Sequence, residues 1–344
     1  MPVTRVDSQK NSPGTKDKFT LLTMPYNQRP LYLYGGQLQV NTGYKFAVRG
    51  KMYDSEGGLI RLKDNGTASV MHYFSAELKY GITDFLEMTL QSDYMKKGVR
   101  DETVHYWSGT DYMITVNNLT ETRGMGDLLL QAAAHLPMEY KLFDIGLAGG
   151  IYLPVGRSET PQPEHKITDV AAANIYTINY HFKNVNGNGV PVYLMSAAGK
   201  LSVSKFTLST DLTIKTPMKE GENMRWDYTL QTAKTFTYTG KPYSYLLNTL
   251  KSLNVTAHYQ AAGWLDVYLN TTIFKSSGGW TEYTLGRYSN PDQSFIAIEP
   301  GMELQVSPAI KIYQRMSLPV SGTNADAPFY FYITLSGNMF LFLK

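Results

Sequence analysis

One feature constrains this chain most: a two-residue period of hydrophobicity sustained far beyond what a soluble strand needs. From Gln37 to Met52 one parity carries Leu38, Val40, Thr42, Tyr44, Phe46, Val48 and Met52. The other carries Gln37, Gln39, Asn41, Lys45, Arg49 and Lys51. Successive strand side chains point to opposite faces, so the run describes a ribbon with one apolar and one polar face. Strands of globular proteins average about 5–6 residues, and this run is about three times as long. The pattern returns at 74–80, 86–94, 128–136, 145–153, 193–201, 206–214, 224–230, 253–261, 296–306, 310–320 and 329–341, which makes twelve candidate strands. Leu265, Val267 and Leu269 read as a continuation of the segment 253–261 above the membrane.

The connections alternate in length. Short turns are expected at 81–84, 137–142, 202–205 and 307–309, with one longer member at 235–251. Longer loops are expected at 53–67, 96–125, 154–189, 216–223, 265–292 and 321–327. An even number of strands joined alternately by short turns and long loops is the signature of a bacterial outer-membrane barrel. In hydrocarbon every backbone polar group must be paired internally, so a sheet can span only by closing on itself. The expected fold is therefore all-β: a transmembrane antiparallel barrel of twelve strands with short periplasmic turns and long extracellular loops. Residues 164–182 mix a strand rhythm (Tyr176, Ile178, Tyr180, Phe182) with a helical one, and as an added hairpin they would raise the count to fourteen. Residues 31–344 would form the barrel, and residues 1–30 a periplasmic or lumen-plugging segment. Tyr80, Tyr94, Trp226 and Tyr259, near strand ends, are placed to form aromatic girdles.

Composition agrees with a chain wet on one side only. Charged residues are 18% of 344, below the roughly 25% of soluble domains, while aromatics reach 13% with 26 tyrosines. The mean hydropathy of −0.27 reflects wet loops and lumen-facing residues. The rival architecture, a soluble sandwich or jelly roll, also alternates, but with shorter strands. No run is apolar enough for a membrane helix. The N-terminal 18 residues are polar and lack a signal-peptide core, as in a mature outer-membrane chain whose export signal has been removed.

Chemistry is excluded class by class. The chain has no Cys, which removes disulfide frameworks, Cys-ligated metals and a cysteine nucleophile. A net charge of +3 gives no reason to expect nucleic acid. His72, His105, His135, His165, His181 and His258 have no metal-ligand spacing, and no nucleophile elbow, Walker loop or dinucleotide fingerprint occurs. His135 and His258 face inward by parity, where a Ser–His enzyme would need them, but a polar lumen explains both. Asp54-Ser55-Glu56 and the turn Lys63 to Gly66 read as turn chemistry rather than calcium ligation. No catalytic residue, metal or cofactor is therefore expected.

The inward parity carries the functional expectation. It holds the cations Lys45, Arg49, Lys51, Lys79, Lys200, Arg225, Lys311 and Arg315, and the anions Glu77, Glu87, Asp93, Asp144, Asp211, Asp227, Glu299 and Glu303, with His258 among them. The two signs balance, whereas a strongly ion-selective pore shows one in excess. Such residues either cross-link a closed lumen or line a narrow polar conduit. Eight strands fill with side chains and sixteen leave a water channel, so twelve lies between.

Tyr80-Gly81-Ile82-Thr83-Asp84-Phe85-Leu86-Glu87 resembles the strand–turn–strand motif of the MetA-pathway-of-phenol-degradation family of outer-membrane barrel channels. Gly124-Met125-Gly126-Asp127 and Leu153-Pro154-Val155-Gly156-Arg157 follow in the family's order, with Val155 where members more often have Thr. The glycine and aspartate of the first motif suit a tight turn, Gly81 through a positive φ and Asp84 by bonding nearby backbone. The resemblance covers about residues 70–157 and implies a porin-like channel passing small, often hydrophobic or aromatic, molecules, with no catalytic residues. The expected surroundings are outer-membrane lipid and lipopolysaccharide, with small-molecule cargo in the lumen. The alternative is a non-conducting structural barrel, a subunit of a larger outer-membrane complex that binds protein partners through its long loops.

Overall fold

The computed structural model describes residues 22, 24, 26, 29–62, 69–106, 113–136, 143–156, 164–170, 175–184, 187–230 and 236–341. Twelve strands close on themselves: β1 Gln37–Arg49, β2 Ser69–Thr83, β3 Leu86–Tyr106, β4 Leu128–Leu136, β5 Phe143–Leu153 and β6 Val192–Val203. The ring continues with β7 Phe206–Pro217, β8 Thr249–Ala262, β9 Leu265–Ser277, β10 Gln293–Ser307, β11 Ile310–Thr323 and β12 Phe329–Phe340. Every neighbouring pair in the ring is antiparallel, and β1 meets β12 from Gln37↔Phe340 to Val48↔Phe329. The chain thus has no open edge within the barrel wall.

Facing follows the parity read from the sequence. Leu147 and Phe206 are each 63% exposed on the outer surface, while Glu87 at 3% and Lys311 at 2% are buried inside. Val40, Leu78, Leu90, Leu130, Leu212, Leu269, Leu318 and Leu335 continue the apolar outer belt. A wall of this kind is stable only with hydrocarbon outside and water or protein inside. Tyr80 and Tyr259 cap the belt near the short turns, and Tyr259 packs against Phe206 with ring centroids 4.9 Å apart. Tyr94 and Phe74 hold the opposite rim, with centroids 6.4 Å apart.

The strand count is as expected, but one strand is a different segment. Gly221–Leu230 lies outside the wall, in a hairpin with Phe236–Leu246. Trp226 therefore belongs to no girdle. The place falls to β9, which pairs with β8 and β10. Two causes hid this. A bulge in β8 between Gln260 and Ala262 cancels the parity flip of the two-residue turn Gly263-Trp264, so odd residues stay outward and β9 reads as a continuation of β8; and an outer hairpin alternates as regularly as a lipid-facing strand. The expected periplasmic turn at 235–251 is accordingly part of the outer loop between β7 and β8. That loop and the one between β9 and β10 pair with each other at Ser244↔Glu282, Tyr245↔Thr281 and Leu246↔Trp280, building a four-stranded sheet.

A second extension stands over the other side. β3 pairs with β4 through Gln91 and, from Tyr94 to Tyr106, with Met113–Met125. Ile175–Asn184 lies parallel to Met113–Met125 and antiparallel to Glu164–Val170. The ambiguous stretch is thus an outer hairpin that leaves the ring at twelve. The expected turn at 137–142, the turn Lys63 to Gly66 and most of residues 1–30 lie outside the described residues.

Candidate functional site: a strapped lumen

The site is built from the inward face and from the segment that precedes β1. Between Pro30 and Gly36 the chain crosses the short-turn end of the barrel, and its alternate N–H groups donate to three carboxylates. Leu31 N donates to Asp144 Oδ2 at 2.8 Å, Leu33 N to Glu87 Oε2 at 2.8 Å and Gly35 N to Asp84 Oδ1 at 3.0 Å. These acceptors stand on β5, on β3 and in the β2–β3 turn, so period-2 backbone geometry fits the strap to consecutive wall positions. Tyr32 passes against β5 where Gly146 leaves room; a Cβ there would lie 2.2 Å from the ring.

Upstream, the strap reaches the opposite wall. The Tyr26 ring stacks on His258 with centroids 3.8 Å apart, and its hydroxyl donates to Ser209 Oγ at 3.3 Å. Arg29 Nη2 meets Glu303 Oε1 at 2.5 Å, and Lys311 Nζ approaches the same oxygen at 3.7 Å. Lys200 Nζ donates to the Tyr26 carbonyl at 2.5 Å and to the Arg29 carbonyl. Gln305 Nε2 donates to the Leu22 carbonyl at 3.3 Å. Burial opposes the charge on Arg29, but the neighbouring Glu303 and Tyr313 outweigh it and raise its pKa above the ordinary arginine value.

The predicted inward residues divide by height. Glu87, Asp144, Lys200, His258, Glu303 and Lys311 hold the strap. Glu77 accepts from Asn41 Nδ2 at 2.6 Å and pairs with Lys79 at 3.5 Å. Glu299 accepts from Asn270 at 2.9 Å and pairs with Arg315 at 3.4 Å, while Arg315 lies 5.0 Å over the Tyr332 ring. Lys45 sits 3.8 Å over Tyr330 and 5.1 Å over Tyr73. Asp211 accepts from Thr213 at 2.7 Å. Asp93 packs where a Cβ on Gly126 would come within 2.3 Å of its carboxylate. Arg49 pairs with Asp326 at 2.6 Å, near the outer mouth.

Three of the predicted lumen residues lie elsewhere. Lys51 is exposed in the short hairpin Lys51–Tyr53/Leu59–Arg61 beyond β1. Arg225 and Asp227 are on the outer hairpin, opposite Lys241 and Thr239, and Arg225 lies 5.6 Å over the Tyr283 ring. Parity assigns a face, and it does not tell whether the ribbon is still in the wall. Conversely, Lys215, which bonds Tyr152 at 2.8 Å, and buried Asp266 were missed, although both share the inward parity of their strands. Asp54 bonds Glu56 N at 2.9 Å and Gly58 N at 2.7 Å, a turn as expected. His135 bonds the Asp84 carbonyl and lies 3.4 Å from Asp144.

Three adjoining cavities run through the lumen. The outer one, about 690 Å³, is lined by Arg49, Met52, Phe274, Phe295, Asp326 and Tyr330 among others. It shares Thr272 and Glu299 with a middle cavity of about 520 Å³. The middle one shares Tyr26, Tyr268, Tyr313 and Arg315 with an inner cavity of about 570 Å³ bounded by the strap. A column of space therefore descends from the outer mouth to the strap.

Comparison with known proteins bears on the fold. No family model matches the chain, and no curated protein matches it in sequence. An outer-membrane channel from Pseudomonas putida F1 superposes with a TM-score of 0.58 at 11% identity, over 92% of this chain and 99% of that one. The P. putida toluene transporter TodX aligns with a TM-score of 0.47 at 10% identity, over 94% of this chain and 93% of that one. The NanC porin gives 0.41 at 9%, over 87% and 98%. The first likeness shows a shared fold; the other two are looser and bear on nothing further. The architecture is that of an outer-membrane β-barrel.

Proposed function

We propose that this chain is a bacterial outer-membrane channel for passive passage of small molecules, with Tyr26 and Arg29 to Gly36 acting as a strap across its periplasmic end. The column of cavities inside a closed, lipid-faced barrel carries this reading. The resemblance of Tyr80–Glu87, Gly124–Asp127 and Leu153–Arg157 to the phenol-degradation channel family supports it. The inward charges on the wall act as cross-links and fix the lumen's width. Strap contacts converge on Glu303, Lys200, Asp144 and Glu87, so opening at the inner end requires those bonds to exchange for water or cargo.

Single-channel conductance in a planar bilayer tests this, with the full chain and with a strap-deleted variant lacking residues 1–35. The expected result is small or intermittent current in the full chain and larger, steady current in the truncated one. Silence from both, with the unboiled protein still migrating anomalously in a detergent gel, would overturn the channel and leave a structural barrel.

A further inference from the structure

The middle cavity bears on the class of cargo, an inference that rests on the channel reading and deepens it. Its lining includes no aliphatic side chain. On β8 and β9 the wall is an interlocked polar ladder. Thr256 Oγ1 donates to Asn270 Oδ1 at 2.8 Å, Thr272 Oγ1 donates to Asn254 Oδ1 at 2.8 Å, and Asn270 Nδ2 donates to Thr272 at 3.0 Å and Glu299 at 2.9 Å. These bonds fix the orientation of both amides before any solute enters. At the inner end His258 is stacked on Tyr26 and lies 5.1 Å from the Tyr268 ring, giving a platform of aromatic faces. The buried Nδ1 of His258 has no hydrogen-bond partner. Of the carboxylates that line it, Glu299 is matched by Arg315 and Glu303 by Arg29 and Lys311, while Asp211 accepts from the Thr213 hydroxyl.

We infer that the middle cavity is a binding site for a neutral, ring-shaped polyhydroxylated solute of the sugar class. A hydrocarbon entering here would strip water from the exposed amide, hydroxyl and carboxylate groups of the lining and give nothing back, at a cost for each unpaired group. A polyol replaces those bonds through its hydroxyls and lays its C–H face on the ring platform. Arg315, Glu299 and Glu303 are engaged in ion pairs and Asp211 in a bond from Thr213, so an ionic solute gains little from charge here. The volume lies within the roughly 300–1,000 Å³ of small-ligand sites. Sites built to hydrogen-bond a hydroxyl discriminate strongly against analogues lacking it. The sequence resemblance implied hydrophobic or aromatic cargo; the polar lining of this cavity argues the opposite.

Equilibrium dialysis of radiolabelled maltose against the full chain, purified in lauryldimethylamine oxide, tests the site without requiring conduction. Saturable binding is expected, weakened about tenfold by Asn270→Leu and by the isosteric Thr256→Val, and unchanged by Leu269→Val on the lipid face. Benzyl alcohol should fail to displace the label at concentrations where unlabelled maltose does. No saturable binding to protein with barrel-like gel mobility would overturn the site, as would binding indifferent to both polar substitutions or displaced equally by benzyl alcohol. Conductance of the same preparation and of the strap-deleted variant, counted as silent only when both are silent, separates the two proposals. Binding with a silent bilayer upholds the site and overturns the channel, whereas a conducting channel that binds no maltose does the reverse.

Discussion

At the scale of the residue, Gly81 shows how a motif can be read correctly for the wrong reason. The sequence suggested a turn glycine with positive φ, yet Gly81 is not among the residues that adopt one. It is small because the strap runs directly over it. A Cβ at Gly81 would fall 2.0 Å from the Tyr34 carbonyl oxygen, and Gly36 N donates to the Gly81 carbonyl at 2.7 Å. Asp84, the motif's other fixed point, bonds Gly35 N rather than its own turn. The Tyr-Gly-Ile-Thr-Asp motif is therefore a clasp for the segment before β1. Gly81→Val is expected to cost about 1–3 kcal/mol by overpacking backbone against backbone. The checking measurement is the temperature at which the fast-migrating folded band disappears on a detergent gel. Gly149→Ala, where nothing lies within 4 Å of the added Cβ, should leave that temperature unchanged; equal loss in both variants would sink the clasp.

At the scale of the element, the ribbon pattern made most of the wall legible and one exchange illegible. Eleven of the twelve ring strands overlap a segment predicted from alternation, because lipid on one side and polar lumen on the other impose the same period on each. The twelfth, Leu265–Ser277, is hidden because the bulge before its turn keeps the parity of β8, and Gly221–Leu230 stands in for it. The lumen charges were legible for the same reason, since Glu299, Glu303, Lys311 and Arg315 share one parity within each strand. The strap is legible only as a periplasmic or lumen-plugging segment, because Leu31, Leu33 and Gly35 bind through backbone N–H groups that carry no side-chain signature and the wall partners of Tyr26 and Arg29 lie at least 171 residues away. The exchange predicts opposite outcomes for one chemical change. Leu269→Arg puts a cation on the lipid face and should cost about 2–4 kcal/mol near mid-bilayer, seen as loss of heat-modifiable protein in the outer membrane. Met224→Arg, on the outer hairpin, should assemble normally; failure of both would return Gly221–Leu230 to the wall.

At the scale of the molecule, compensation of charge inside the barrel and the strap across its end are two parts of one design. Isolated charges in a lumen of this width would be strongly desolvated, so many wall charges are paired, as Glu299 is with Arg315, or taken up by the strap, as Glu303 takes Arg29, and others bond hydroxyls, as Asp211 does Thr213. Lys45 differs, since its ammonium lies over the rings of Tyr330 and Tyr73. Ring faces hold a cation without neutralising it, so Lys45 contributes a positive potential that balances carboxylates outside the described ion pairs, such as Asp211, which is bonded to the Thr213 hydroxyl. In the strap-deleted channel, the reversal potential in a KCl gradient should sit near zero for the otherwise unmodified wall. Lys45→Ala should move it towards the potassium equilibrium potential, because the local balance then favours the carboxylates. Arg315→Ala breaks a pair with Glu299 and should move it the same way. A reversal potential indifferent to both substitutions would mean that ions do not pass through this part of the lumen.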